Sequence, residues 1–217
     1  VQRMVALGVV VLLISAIVYV GFLVLGENGL VSYRPGDQAL ESQEIYSDLI
    51  KLDGINSDGD GIRVCIVDSG IMMEHNDLES VNLVEWKDFV NNRATPYDDH
   101  GHGTSMAGIL VADGWMNGIA PSVDLFVAKA LSEDGSGVDS VVAEAIDWCV
   151  SKEVHIISLS LGGAPDIIPF DIGSDRGSDE ATNDAIDQGI FVVAAAGNDG
   201  GENDDGDVSN PCGERLV

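Results

Sequence analysis

Apolar residues fall along this chain in distinct rhythms, and each rhythm predicts an element. Val5 to Leu25 is almost wholly apolar and uncharged, with Arg3 before it and Glu27 after it. About 21 helical residues at roughly 1.5 Å each span about 31 Å, close to the hydrocarbon thickness of a bilayer. Residues 1–26 are therefore expected to form a membrane anchor, with the N-terminus inside and the remainder outside. A cleaved secretory signal is the alternative; the run is long for one and shows no clear small-x-small cleavage site.

Glu27 to Gly61 is mixed and polar and reads as the entry to a domain over residues 62–217. Within that domain short apolar runs alternate with helical patterns. Ile62–Val67, Asp124–Leu131, Val154–Leu159 and Ile190–Ala196 read as strands, and Leu83–Val90 as a weaker one. Thr104–Ala112 reads as an apolar helix. Val138, Val141, Val142, Ala145, Ile146, Cys149 and Val150 recur at helical spacing, predicting an amphipathic helix over Gly137–Glu153. Asp179–Gln188 reads as a helix closed by Gly189. Apolar strands interleaved with helices imply an α/β doubly wound, mostly parallel sheet covered on both faces. In such sheets ligands collect beyond the carboxyl ends of the strands. Asp68, Ser160 to Gly163 and Gly197-Asn198 all lie just past predicted strand ends, so they are expected at one rim.

There are no internal repeats. Asp199 to Asp207 and Ala164 to Glu180 are Gly- and Asp-bearing stretches that read as surface loops. Asn56 to Gly61 imitates half an EF-hand loop, but the bidentate glutamate would fall at Val67, inside a strand, so a turn is expected.

Composition narrows the partners. With 37 acidic and 10 basic residues, the net charge of −27 repels nucleic acid and anionic lipid heads. It suits a high-salt habitat, where repulsion is screened, and it favours basic substrates. Three cysteines cannot all pair with one another. Cys65 in a buried strand, Cys149 on a helix and Cys212 in a loop are expected to be free thiols.

The candidate chemistry lies in two segments. Val64-Cys65-Ile66-Val67-Asp68-Ser69-Gly70 is an apolar run ending in a carboxylate and a turn. Asp99-His100-Gly101-His102-Gly103-Thr104 places a histidine among small residues at the opening of a helix. A carboxylate that orients a histidine general base is the supporting half of a nucleophilic hydrolase. His100 and His102, with Asp98 or Asp99, are also residue types that bind zinc.

Four co-linear motifs make the chain resemble the subtilisin-family serine proteases, or subtilases. They are Val67-Asp68-Ser69-Gly70-Ile71, His102-Gly103-Thr104-Ser105-Met106-Ala107-Gly108, Ser160-Leu161-Gly162-Gly163 and Ala194-Ala195-Ala196-Gly197-Asn198. Gly118-Ile119-Ala120-Pro121 and Asp134-Gly135-Ser136-Gly137 also match. The resemblance implies hydrolysis of polypeptide substrates, with Asp68 and His102 catalytic and Asn198 donating to the oxyanion. Gly135, Ser136 and Gly137, with Ser160, Leu161 and Gly162, would line the extended substrate. No cofactor is implied for the chemistry. Asp77 matches a family calcium ligand by position, yet one carboxylate does not make a site, and the segment from His102 to Pro121 is short for the family's calcium loop.

The resemblance also exposes a gap. Gly103-Thr104-Ser105-Met106-Ala107 imitates the family's serine motif, but Gly108 follows where a proline is expected nearby. Ser105, one helical turn past His102, reads as a helix residue. No Gly-Thr-Ser motif follows Asn198, so the nucleophile is expected beyond Val217, and no propeptide is recognisable between Leu25 and Ile62. A membrane-anchored pseudoprotease that binds peptides without cleaving them is the alternative.

Overall fold

The computed structural model describes residues 12–21, 35–162 and 177–196. Residues 12–21, part of the expected anchor, are helical with exposed apolar side chains; the rest of Val5–Leu25 lies outside the described residues. Among the described residues no helix is long and apolar enough to cross a membrane.

The chain divides into two compact units, Val1–Asp37 and Gln38–Val217; the second opens within a helix the hydrophobic pattern does not predict, α1 (Asp37–Ile50), followed by a 3-10 turn at Leu52–Gly54. It buries no residue, and its apolar residues stand within a stretch that reads as mixed and polar. Beyond it the predicted alternation appears: β1 (Arg63–Asp68), β2 (Leu83–Asp88), α2 (His102–Val111), β3 (Asp124–Lys129), α3 (Asp139–Ser151), β4 (Ile156–Leu159), α4 (Ser178–Asp187) and β5 (Phe191–Ala194). The five strands form one sheet in the order β2-β3-β1-β4-β5, with every neighbouring pair parallel.

The strand period of two decides the packing. Cys65 and Val67 of β1 enter a core with Ala145, Ile146 and Cys149 of α3 and Ala181 and Ala185 of α4. Val64 and Ile66 enter a second core with Ala107 and Val111 of α2. Helices thus cover both faces, and β1, central in the sheet, is buried on both sides. Each of its fully buried Val and Ile side chains contributes about 1.5–3 kcal/mol.

One expectation is corrected here. Cys65 and Cys149 are joined by a disulfide between β1 and α3, with Cα atoms 5.9 Å apart, within bridging range. Both sulfurs lie in the same core, a proximity that a sequence separation of 84 conceals. Cys212 lies outside the described residues. A second difference concerns β5: it is shorter than expected and half-exposed, with Phe191 67% exposed and Val193 49%. As the last strand in the order, β5 is an edge of the described sheet.

Candidate active site

β1 ends at Asp68, and α2 begins at His102. The fully buried Asp68 carboxylate accepts from His102 Nδ1, which lies 2.8 Å from Oδ1 and 3.0 Å from Oδ2. The Ser69 amide donates to Asp68 Oδ1 at 2.7 Å. A ring nitrogen held by a carboxylate in this way has its tautomer fixed and leaves Nε2 as the acceptor.

Three backbone segments meet closely enough to exclude side chains. Gly70 has φ +130°, and a Cβ there would lie 2.1 Å from Tyr97 O; a Cβ at Gly103 would lie 2.2 Å from Gly70 O. Only glycine permits both approaches. Asp98 then ties the loop to the helix. Its Oδ1 accepts from Ser69 Oγ, His100 N and Gly101 N, and its Oδ2 accepts from Thr104 N and Thr104 Oγ1 at 2.6 Å. Ser69 Oγ in turn accepts from the Gly103 amide at 2.9 Å. These bonds cap the first turn of α2, where orphan amides favour a carboxylate. Burial pushes the Asp98 carboxyl up, but the bonds from Thr104, Gly101 and His100 outweigh it and hold it at about 2.

Further back, Asp88 at the end of β2 accepts from the amides of Val90, Asn91 and Arg93 and from the Tyr97 hydroxyl. That fixes the loop whose Tyr97 carbonyl accepts from Ile71 N. Burial raises the Asp88 carboxyl, and its amide and Tyr97 donors lower it further than burial raises it.

The expected substrate-lining residues lie at the same rim. The segment after β3 closes into a tight turn in which Ser132 N donates to Ser136 O at 2.8 Å and Gly135 has φ +78°. Asp134 accepts from Ser136 Oγ, Ser136 N and Ser132 Oγ, and these bonds hold its carboxyl at about 2. A Cβ on Gly135 would meet His100 Nε2 at 2.7 Å, so Gly135 abuts the histidine loop. Ser160, Leu161 and Gly162 follow β4, which pairs parallel with β1, so both segments leave the sheet at its carboxyl edge. Asn198, Gly163 and Gly197 lie outside the described residues.

Competing roles lose their atoms. The His100 and His102 ring centroids are 6.2 Å apart, but His102 Nδ1 is committed to Asp68, Asp98 to five donors, and Asp99 to Lys129 Nζ at 2.6 Å. Ser105 Oγ donates to Gly101 O at 2.9 Å within α2, as a helix residue does. Asp77, 6% exposed, accepts at Oδ1 from Trp115 N at 2.6 Å and Met116 N at 3.3 Å. Calcium takes six to eight oxygens. Here two amides take one oxygen of the one carboxylate, and no group of three metal-ligating side chains exists among the described residues. One carboxylate does not by itself make a calcium site.

Sequence reasoning missed Lys129 and the scaffolding part of Asp98. A lone lysine within a strand expected to be buried is itself a signal, because a charge there demands partners. A groove of about 360 Å3 between α1 and α2, lined in part by Tyr46, Met72, Ser105 and Met116, includes neither Asp68 nor His102.

The family model described as the subtilase family matches residues 59–215. Thermitase of Thermoactinomyces vulgaris is 37% identical over 148 residues, 66% of this chain and 50% of that protein. Serine protease AprX of Bacillus subtilis is 36% identical over 154 residues, 65% of this chain and 34% of that protein. Subtilisin DY of Bacillus licheniformis is 32% identical over 170 residues, 76% and 58% respectively. The crystal structure of a cold adapted subtilisin-like serine proteinase superposes with a TM-score of 0.59 at 31% identity, covering 72% of this chain and 53% of that one. The chain thus spans about a third to three fifths of the length of these relatives.

Proposed function

The chain belongs to the subtilase family of serine proteases, and from that premise we propose that the whole protein is an endopeptidase in which Asp68 and His102 activate a serine. That serine is supplied by a part of the protein other than these 217 residues. The observation that carries the reading is the 2.8 Å contact between His102 Nδ1 and the buried Asp68 carboxylate, at the end of a central parallel strand. His102 Nε2 takes the serine proton as the hydroxyl attacks the scissile carbonyl, and later returns it to the leaving amine. Asp68 stabilises the imidazolium formed between those steps. Asn198 donates its amide to the developing oxyanion; in subtilisin, the source of this magnitude, losing that donor costs about 10²–10³ in kcat. The substrate lies extended against Gly135-Ser136-Gly137 and Ser160-Leu161-Gly162, exchanging backbone hydrogen bonds with both.

The domain is read as residues 62–217, entered through 27–61 and anchored by 1–26. Support for the anchor is the uncharged apolar run Val5–Leu25. Support for an extracytoplasmic location is the disulfide, which persists in oxidising compartments, and a 35% identical relative named minor extracellular protease Epr. Alkaline carbonate extraction tests the anchor: the whole protein stays with the membrane pellet, and release into the supernatant refutes it.

A fluorophosphonate probe tests the chemistry. The whole protein is expected to label at one serine downstream in the family's Gly-Thr-Ser motif, while the 217-residue chain does not label. Labelling of Ser105 overturns the reading. Peptide binding by the whole protein with neither labelling nor cleavage supports a pseudoprotease instead.

A further inference from the structure

Lys129 is the one lysine or arginine that is fully buried among the described residues. It ends β3, in register with Asp68 at the end of β1. Its three ammonium protons meet three acceptors: Ser69 O at 2.6 Å, Asp99 Oδ1 at 2.6 Å and Leu131 O at 2.7 Å. The Tyr97 ring lies beside it, with its centroid 5.0 Å from Nζ.

Those acceptors belong to three different segments. Ser69 adjoins Asp68, and its amide holds the Asp68 carboxylate. Asp99 sits in the loop that ends at His102. Leu131 begins the segment that runs to Gly135-Ser136-Gly137, and the amides of Ala130 and Leu131 both donate to Asp68 O. A desolvated ammonium requires this full complement of partners. An ion pair in such a place is weak support for stability, since apolar residues of similar volume often serve as well.

We propose that Lys129 is a positioning residue for the Asp68–His102 pair. Its ammonium locks the aspartate's backbone, the histidine's loop and the root of the substrate-lining turn into one frame, so that the imidazole meets the carboxylate at a fixed angle. The proposal rests on the protease reading above and deepens it.

The test uses the whole protein with Lys129→Met and Asp99→Ala. Asp99 is 30% exposed at its side chain, so its removal is the milder change. Two readouts are taken: steady-state kinetics, and the low-field proton resonance of His102 Nδ1–H, which reports the bond to Asp68 without turnover. Misplacement by about 1 Å costs on the order of 10²-fold, so Lys129→Met is expected to lower kcat by about that factor, with a smaller rise in KM. Asp99→Ala lowers kcat less, and in both variants the resonance moves upfield or is lost. A folded variant of either kind with wild-type kcat and an unmoved resonance overturns the proposal. If Lys129→Met does not fold, Asp99→Ala decides. If the wild type cleaves nothing, the protease reading falls, and the resonance comparison still decides the part played by Lys129.

Discussion

At the scale of single residues, the site depends on small backbones and committed carboxylates. Gly103→Ala would put a Cβ 2.2 Å from Gly70 O. The chain must then shift where His102 meets Asp68, and kcat is expected to fall on the order of 10²-fold, measured on the whole protein. Asp98 gives a pH prediction. Its carboxyl lies at about 2 in the fold, below the ordinary 3.8. The stability it contributes is therefore fully present above about pH 4 and is lost as pH falls through 2. Asp98→Asn should flatten the acid side of the stability curve between those limits in urea titrations; an unchanged slope contradicts the assignment. Asp68 and His102 were legible because each stands inside a motif whose order and spacing are distinctive. Lys129 was not, because an apolar strand pattern absorbs a single charge and the register that sets it beside Asp68 is a property of the sheet. Asp98 read as a metal-type ligand because its five donors come from Ser69 and from the backbone and hydroxyl of neighbouring residues, none of which spacing reveals.

At the scale of elements, the ends of the expected strands and helices of the sheet lie within two residues of their places, since β1, β3 and α3 carry strong periodic patterns. Two features escaped. α1 buries nothing, and its few apolar residues sit in a stretch that reads as mixed and polar; its Tyr46 hydroxyl donates to Asn117 O and its Gln43 Oε1 accepts from Asn117 N. The Cys65–Cys149 bridge needs the knowledge that α3 packs on β1 at those two positions. Closing a loop of 84 positions is worth about 2–5 kcal/mol in small secreted domains. Cys149→Ala is therefore expected to lower stability by about that amount in guanidinium unfolding. A loss no larger than that of an ordinary small core change, under about 1 kcal/mol, argues that the thiols are unpaired. The exposed Phe191 and Val193 on β5 place an apolar edge on the described sheet, where a further element of the whole protein is expected to pack.

At the scale of the molecule, charge and family set the behaviour. A net charge of −27 makes the compact state repel itself, and raising salt from 0.1 to 1 M shortens the screening length from about 10 to about 3 Å. The melting temperature is expected to rise across that range; a flat or falling response argues against adaptation to salt. The central claim is that one imidazole, held by one buried carboxylate, serves as general base for a serine elsewhere in the protein. Its most direct test is kcat of the whole protein with His102→Ala. In subtilisin, where this magnitude was measured, losing the histidine costs about 10⁶ in kcat. A drop of that order is predicted here. Turnover within about tenfold of wild type would contradict the account.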